Sequence, residues 1–499
     1  MAGSYGRISE KAAPPKVLNG ISGGDLGTAG ATQQLVFDEY VAPFDVGRLD
    51  DLFVSYLFPD SEDFSGTEND GGWPQGWHGF DQAVVFGDPC PANPFSILMD
   101  SLTRFTMSLP TDHPVVAPND RLAKASALFS KENVERFIGH YFRDYCPHSP
   151  ILYPGTFQAS STSPFLLTVI VVTGALFSPG AADIESARAI LDLVEEYVFS
   201  NVNFKKLLTS PNSITDPDDV EAWQALQAAF FITQVQLREG SVVKKKLTRN
   251  ARFDEIICAV RALGLVDARN PFFHNEPPTP DRFQWSQYGE SETKVRLVCG
   301  VFNLDASFSI LYNMVPRLFA EEMNIDMPGP ADAFFADSAQ DCYEASLKVH
   351  GVQTLTLSAL CDAFMQEKWD DQIRSSMQSI SLLHLFILIL ALLQILWLSP
   401  YRPKKEQTME RISLALDRWK QVWDVQNTNL TPRQRERYGF LKTAPLEFWQ
   451  IATVLVKKKA TRLDRAVDHS TRHSQSEEIP GSCQSCAHAL LENVNKEPA

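Results

Sequence analysis

The chain has 499 residues, of which 44% are apolar, and its 61 acidic and 45 basic side chains give a net charge of −16. Its 32 Phe and 9 Trp exclude a wholly disordered chain, its mean hydropathy of −0.16 excludes a multispan membrane protein, and 26 Gly exclude a collagen-like fibre. A pI near 5.1 indicates that the average field of the chain does not attract nucleic acid, so direct DNA contact requires a local basic module.

The first part of the chain divides into two segments. Residues 1–36 are rich in Gly, Ala, Ser and Pro and lack an apolar period, which predicts a disordered leader. Residues 37–125 mix acidic and large apolar side chains, as in LDDLFVSYLFPD, and residues 1–130 together carry a net charge of −10. Such a mixture stays soluble and leaves its apolar side chains available to a groove on a partner, as in a transcriptional activation region. A solvated linker with one short helix is the alternative.

From about residue 126 to residue 465 the apolar side chains repeat every three or four residues, which is the period of an amphipathic helix. No run of alternating, strand-like residues interrupts this pattern. We therefore predict an all-α fold, a large helical bundle-like domain over 126–465, followed by a disordered polar tail over 466–499. The repeat is clear at Ile184, Ala187, Leu191, Val194 and Val198.

Residues 380–398, ISLLHLFILILALLQILWL, form the most apolar segment and carry no formal charge. A helix of this length, at about 1.5 Å per residue, nearly spans a bilayer core, so a membrane-anchored adaptor is one interpretation. The segment contains His384 and Gln394, and the amphipathic helices around it need an apolar partner. We therefore predict a buried core helix and no membrane contact.

A metal-dependent enzyme of the terpene synthase type is an alternative function for an all-α chain. Such an enzyme needs several carboxylates on one helix face, because divalent cations must bridge the protein and a diphosphate. The pairs Asp50-Asp51 and Asp370-Asp371 each lack a third carboxylate one turn on. No P-loop, GxSxG, HExxH or GxGxxG motif is present. We predict solvated acids, with no catalytic site and no cofactor.

The polar tail contains two pairs of residues with the spacing of zinc ligands. His469 and His473 are one helical turn apart, Cys483 and Cys486 form a Cys-x2-Cys pair, and His488 follows. The pairs stand in the reverse order of a DNA-binding finger and lack the apolar positions of its core. This arrangement favours an unstructured tail over a zinc site.

A basic cluster precedes one of the predicted helices. Five positive charges fall within nine residues, at Lys244, Lys245, Lys246, Arg249 and Arg252. The cluster is typical of a nuclear import signal or of a surface that contacts phosphates. Two acidic residues follow directly, so a solvated helix start is the alternative.

Three segments, in order along the chain, resemble the regulatory middle homology domain of fungal-specific transcription factors. The first spans 137–157, where Tyr141-Phe142 are implied to pack inward and a Pro, Ile-Leu, Thr-Phe signature follows. The second spans 292–313 and includes Arg296 and Asp305, two polar points in an apolar helix that need partners if buried. The third, 314–345, is similar to the proline-containing loop of the family. The first signature consists of Pro147, Pro150, Ile151, Leu152, Thr156 and Phe157.

The resemblance covers about residues 130–460 and implies a fungal transcription regulator in the nucleus. It implies that the protein contacts the transcription machinery or co-regulator proteins and that a homodimer is one of its possible oligomeric states. Control of a metabolic gene cluster would suit the family. Members normally bind DNA through an amino-terminal zinc cluster or zinc fingers. No Cys precedes Cys90 and no zinc-spaced pair precedes Cys483, so we expect DNA contact to be indirect or through a missing module.

Overall fold

Helices provide nearly all the regular secondary structure in the computed structural model of the chain. The all-α prediction is confirmed for the described residues, whose one pair of β-bridge partners is Asp326 and Thr356. The predicted segments 1–36 and 466–499, and most of 37–125, lie outside the described part. The structure describes residues 94–115, 121–209, 219–350, 355–369, 373, 376–377, 380–401, 405–431, 434–435 and 445–458.

Among the first seven described helices, the apolar helix α4 is buried along nearly its whole length and packs on α3, α5 and α7. Helix α3 continues into a single wider π-turn at Tyr141–Tyr145. Tyr141 and Phe142 are fully buried there, so their predicted inward packing is confirmed. The helices are α1 Pro94–Ser108, α2 Arg121–Leu128, α3 Lys131–His140, α4 Pro164–Leu176, α5 Ala181–Phe199, α6 Val202–Thr209 and α7 Val220–Glu239.

Local sequence signals explain where several of these helices begin. Ser130 accepts a hydrogen bond from the backbone N–H of Asn133, and Asp219 accepts one from that of Ala222. Each cap satisfies an N–H group that has no partner within the first turn of its helix. Pro164 stands in the first turn of α4, where a missing N–H costs nothing.

The remaining helices build the second half of the body around α10 and α14. Helix α14 packs on α10, α13 and α15. Helix α10 ends at Tyr312 because the next residue, Asn313, has a φ of 53°, which lies in the left-handed region that stops a helix. Residues 445–458 are also helical. The helices are α8 Val242–Leu247, α9 Phe253–Ala262, α10 Trp285–Tyr312, α11 Ala331–Phe334, α12 Ala339–Leu347, α13 Leu357–Met365, α14 Leu382–Leu398 and α15 Lys405–Thr428.

The apolar segment at 380–398 forms α14, which lies in the interior of the body, as predicted for a core helix. Its buried Gln394 donates from Nε2 to the carbonyl of Leu318 at 2.8 Å and accepts from the N–H of Ala320 at 3.0 Å. Two described helices, Trp285–Tyr312 and Leu382–Tyr401, are long and apolar enough to cross a bilayer. The body buries 89% and 78% of their most apolar windows, respectively. The side-chain amide of Gln394 thus binds the backbone of the loop that contains Leu318 and Ala320.

Candidate functional site

Arg296 joins the three segments that carry the sequence signature. It lies on α10 and is only 4% exposed. Its Nε donates to Oε1 of Glu292 at 2.6 Å, its Nη1 to the carbonyl of Pro150 at 3.1 Å, and its Nη2 to that of Gly329 at 2.8 Å. Pro150 belongs to the first segment and Gly329 to the third. We call these four residues the Arg296 junction.

The charges of the junction are compensated inside the protein. Oε1 of Glu292 also accepts the N–H of Gly329 at 2.7 Å, and its Oε2 accepts from Nδ2 of Asn270 at 3.4 Å. The guanidinium carbon of Arg296 lies 3.9 Å from the ring centroid of Phe334, which is a cation–π distance. A buried ion pair persists only when such additional contacts offset its desolvation. The contacts hold the 328–330 loop on α10.

Gly329 fits the junction because its backbone approaches other groups closely. A Cβ atom at this position would lie 2.9 Å from Oη of Tyr288 and 3.0 Å from Oε2 of Glu292. Those distances are shorter than ordinary van der Waals contacts, so an added side chain would displace the hydroxyl group of Tyr288 and the carboxylate of Glu292. Glycine therefore lets the third segment meet the second without disturbing the hydrogen bonds of Glu292.

A second buried carboxylate, Asp326, extends the same network. Its Oδ1 accepts from Nη1 of Arg269 at 2.8 Å, and its Oδ2 contacts Nε2 of His274 at 2.6 Å. The N–H of Asn270 donates to Oδ2 at 3.0 Å, so Asn270 contacts Asp326 through its backbone and Glu292 through its side chain. These contacts connect the segment before α10 to the loop after it.

Asp305, the second of the two polar points predicted in this helix, is also fully buried and paired. Its Oδ2 accepts the N–H groups of Arg317 and Leu318 at 2.6 and 2.9 Å, and Nη1 of Arg317 lies 3.3 Å from its Oδ1. Burial raises the pKa of this carboxyl group, while these donors oppose the rise. The prediction that Arg296 and Asp305 need partners is therefore confirmed.

A small cavity lies beside the junction, between α7, α10 and α14. Its volume is about 50 Å³, and Ser149, Gln234, Arg296 and Asn303 contribute polar atoms to its wall. Oδ1 of Asn303 is buried without a hydrogen-bond partner among the described residues. This volume exceeds the roughly 10–15 Å³ that a cavity needs in order to hold one water. It is far smaller than the roughly 300–1,000 Å³ of small-molecule sites.

A wider groove of about 780 Å³ lies between α13, α14 and α15. Glu321, Asp362 and Glu367 line it together with Lys368 and Arg411. Its volume falls within the range of ligand sites, but such sites are lined mostly by apolar and aromatic side chains. The mixed charges are typical of a solvated cleft.

Two of the five predicted basic residues neutralise one buried carboxylate. Glu195, on α5, is 1% exposed. Nζ of Lys244 lies 2.9 Å from its Oε2, and Nε of Arg252 lies 3.2 Å from its Oε1. Nη2 of Arg252 also contacts Glu196 at 2.8 Å, and Nε2 of Gln236 donates to Glu195 at 2.9 Å. Lys244 and Arg252 therefore fasten α8 and the turn after it to α5.

The other three basic residues have different environments. The guanidinium of Arg249 stacks over the ring of Tyr312 at 4.0 Å. Lys245 and Lys246 have no ion-pair partner in the described part of the chain, and Lys246 is exposed. The structure thus separates the predicted cluster into a structural group and two lysines without ion-pair partners in the described part of the chain, of which Lys245 is half-buried and Lys246 is exposed.

The sequence pattern did not lead us to predict Glu292 and Glu195 as members of these networks, although the sequence around each carries an indication of its role. Glu292 lies one helical turn before Arg296, which is the spacing of an ion pair on a helix. Glu195 directly follows Val194 of the predicted apolar stripe, where a carboxylate needs a partner. Which distant cations meet Glu195 depends on chain packing.

The candidate metal sites gain no support from the described residues. No group of three His, Cys, Asp or Glu side chains among them is placed to hold a metal ion. Both carboxylate pairs, Asp50-Asp51 and Asp370-Asp371, lie outside the described part, as does the whole tail with its His and Cys pairs. Those interpretations stay predictions.

The helical body agrees with the all-α domain that the resemblance implies. A family model described as the fungal specific transcription factor domain matches residues 138–421, which is more than half of the chain. The chain therefore belongs to this family of fungal transcription regulators, which is not an enzyme class. The match lies within the predicted 126–465 domain, whose two ends stay predictions.

One curated relative supports the same conclusion. The "Transcription factor verF" of Penicillium polonicum is 26% identical over 353 residues, which cover 67% of this chain and 48% of the relative. The chain thus spans about half the length of the curated relative that it matches. No solved structure matches the chain.

Protonation of His384 is expected to destabilise the domain in mild acid. Its Nε2 donates to the carbonyl of Pro328 at 2.6 Å and its Nδ1 accepts from the N–H of Ser381 at 3.3 Å, which together require the neutral ring. Burial lowers the pKa of His384 to about 4, below the roughly 6.5 of an unfolded chain. The unfolded state therefore binds more protons between these values, and stability is lost as the pH falls through them.

Urea denaturation at pH 7.5 and pH 5 measures this effect. The free energy of unfolding of the wild type should fall by up to about 2 kcal/mol more than that of His384→Gln between the two pH values. An equal fall in both proteins would contradict the assignment.

Proposed function

We propose that this chain acts in the nucleus as the regulatory part of a transcription regulator, through contacts with co-regulator proteins or the transcription machinery. The observation that carries the proposal is the family match over a helical body whose three signature segments meet at Arg296. DNA is reached indirectly or through a module other than this body. A homodimer is one form in which the body acts, and a metabolic gene cluster is the kind of target that suits the family.

The acidic segment within 37–125 supplies the activating contacts in this proposal. We expect residues 37–90, fused to a heterologous DNA-binding module, to raise reporter output several-fold above the module alone. Acidic residues keep the segment in water while its large apolar side chains enter a partner groove. Replacement of Leu52, Phe53, Leu57 and Phe58 by Ser, at unchanged charge, should abolish the output. If the unsubstituted fusion gives no more reporter output than the module alone, the segment is a linker and does not activate transcription.

Lys245 and Lys246 carry the nuclear import or phosphate contact in this proposal, since Lys244 and Arg252 are held by Glu195. We expect Lys245→Gln with Lys246→Gln to lower the nuclear fraction of a fluorescent fusion of the full chain several-fold. The matched control is Lys348→Gln with Lys368→Gln, which removes two exposed lysines elsewhere on the body. Equal nuclear fractions for both double variants would refute the role of α8.

A further inference from the structure

The short helix α8 presents an apolar face to solvent. Val242 and Val243 are 84% and 78% exposed, and Leu247 is 42% exposed. Val242 has the largest exposed fraction among the large apolar side chains of the described residues. Clustered exposed apolar side chains are costly for an isolated protein and mark sites of interaction. We call Val242, Val243, Lys246 and Leu247 the α8 surface.

The orientation of the α8 surface is fixed from the opposite side of the helix. Ser241 caps α8 by accepting from the N–H of Lys244 at 3.3 Å. Nζ of Lys244 then contacts the buried Glu195 at 2.9 Å and Asp192 at 3.6 Å. Because this charge is held against α5, the helix cannot turn its valines inward without breaking the ion pair between Lys244 and the buried Glu195.

We propose that the α8 surface is the docking site for the acidic segment of the same chain at residues 49–64. That segment reads LDDLFVSYLFPDSEDF and contains five acidic residues and no basic residue. Its Leu and Phe side chains match the three aliphatic side chains of the surface. Its carboxylates match the ammonium groups of Lys245 and Lys246, which lack ion-pair partners in the described structure. Apolar contact provides affinity and opposite charge provides orientation.

The connectivity of the chain favours this occupant. Helix α1, which follows the acidic segment, contacts the end of α5 through Ser101 Oγ and Tyr197 Oη at 2.6 Å. Lys244 reaches α5 only two residues away, at Glu195. Both α1 and α8 thus contact α5 at the same level along its axis, through residues on different sides of that helix. The 29 residues between 64 and 94 can extend to at most about 100 Å, so the tether permits the contact. Covalent attachment also raises the local concentration of the segment.

This inference rests on the proposed function, because the occupant is the segment to which activation is assigned. Docking on α8 buries the side chains that a co-regulator groove would take, so the docked chain is less active. It also covers Lys245 and Lys246, so docking and recognition of these lysines by an import factor exclude one another. A partner that binds the segment more tightly than α8 does releases it.

Zero-length coupling with a carbodiimide tests the contact in the purified full chain, since it joins an amine and a carboxylate only where they touch. We expect amide cross-links from Lys245 or Lys246 to acidic residues within 49–64. Val242→Ser with Val243→Ser should reduce this product about ten-fold, because the docked segment loses its apolar contact. The matched control, Val315→Ser with Val425→Ser, removes exposed valines elsewhere and should leave it unchanged.

The other possible outcomes of the cross-linking experiment also decide whether the acidic segment docks on α8. Absence of these cross-links, or equal loss in both double variants, overturns the proposal. Cross-links that form only between differently isotope-labelled copies also overturn it and assign the surface to a dimer. A reporter assay on the full chain fused to a DNA-binding module gives an independent test, in which Val242→Ser with Val243→Ser should raise output several-fold. If the cross-links form but the fusion of residues 37–90 gives no reporter output, docking of the segment on α8 is supported and its role in activation is refuted.

Discussion

Replacement of Arg296 by Met is expected to lower the free energy of unfolding by about 3–5 kcal/mol, the range for breaking a buried ion pair from one side. Met fills much of the same volume but leaves the carboxylate of Glu292 buried without its cation. The carbonyls of Pro150 and Gly329 lose their donors as well. Each unsatisfied buried group adds its own desolvation cost. Urea denaturation monitored by circular dichroism measures the change.

Helix α10 offers a matched control for this prediction. Lys294 and Glu290 form an ion pair with the same four-residue spacing, but Lys294 lies near the surface and Glu290 is about half exposed. Lys294→Met should cost no more than about 1 kcal/mol, because exposed pairs contribute little. The double variant Glu292→Gln with Arg296→Met should be less unstable than Arg296→Met alone, since it buries no unpaired charge. A cost below 1 kcal/mol for Arg296→Met would contradict the role given to the junction.

Replacement of Gly174 by Ala is expected to cost about 3 kcal/mol or more, at the upper end for overpacked cores. An added Cβ atom would lie 1.8 Å from the carbonyl oxygen of Phe137 and 2.6 Å from its carbonyl carbon. Both obstacles are backbone atoms of α3, so no side chain can rotate aside. The two helices must separate, and α4 then loses contacts along a fully buried face. Thermal and urea denaturation of the variant measure the loss.

Gly264 provides the comparison, because it is constrained by backbone conformation instead of space. Its φ is +63°, and no atom lies within 4 Å of an added Cβ. Gly264→Ala should therefore cost only the roughly 1–2 kcal/mol of a left-handed alanine. If both substitutions cost the same, the close approach of α3 and α4 is not what requires glycine at 174.

The family resemblance and the buried positions were readable in the sequence because they depend on local pattern. Apolar residues three or four apart mark helix faces whatever they pack against, and α9 buries Phe253, Ile256, Ile257 and Val260 as that pattern indicates. The all-apolar run of α14 likewise indicated an interior helix. Its His384 and Gln394 appeared only as interruptions of that run, and the structure shows that they bind the loop between α10 and α11.

The basic cluster shows the limit of such reading. Five neighbouring cations look equivalent in the sequence, yet Lys244 and Arg252 pair with Glu195, which lies about fifty residues earlier. A charge run reports the number of charges but not their partners. The orientation of α8 is decided by a carboxylate on another helix, and that orientation exposes Val242 and Val243.

The sequence by itself determined the helical class, the family and the residues that must be buried, since periodicity and capping act over a few neighbouring positions. Only the tertiary structure decided that Pro150, Arg296 and Gly329 meet at one point, and which lysines of α8 lack an ion-pair partner among the described residues. Those facts arise from contacts between residues that are far apart in the chain, and helix packing sets such contacts through shape and charge together. Helical periodicity carries no information about them.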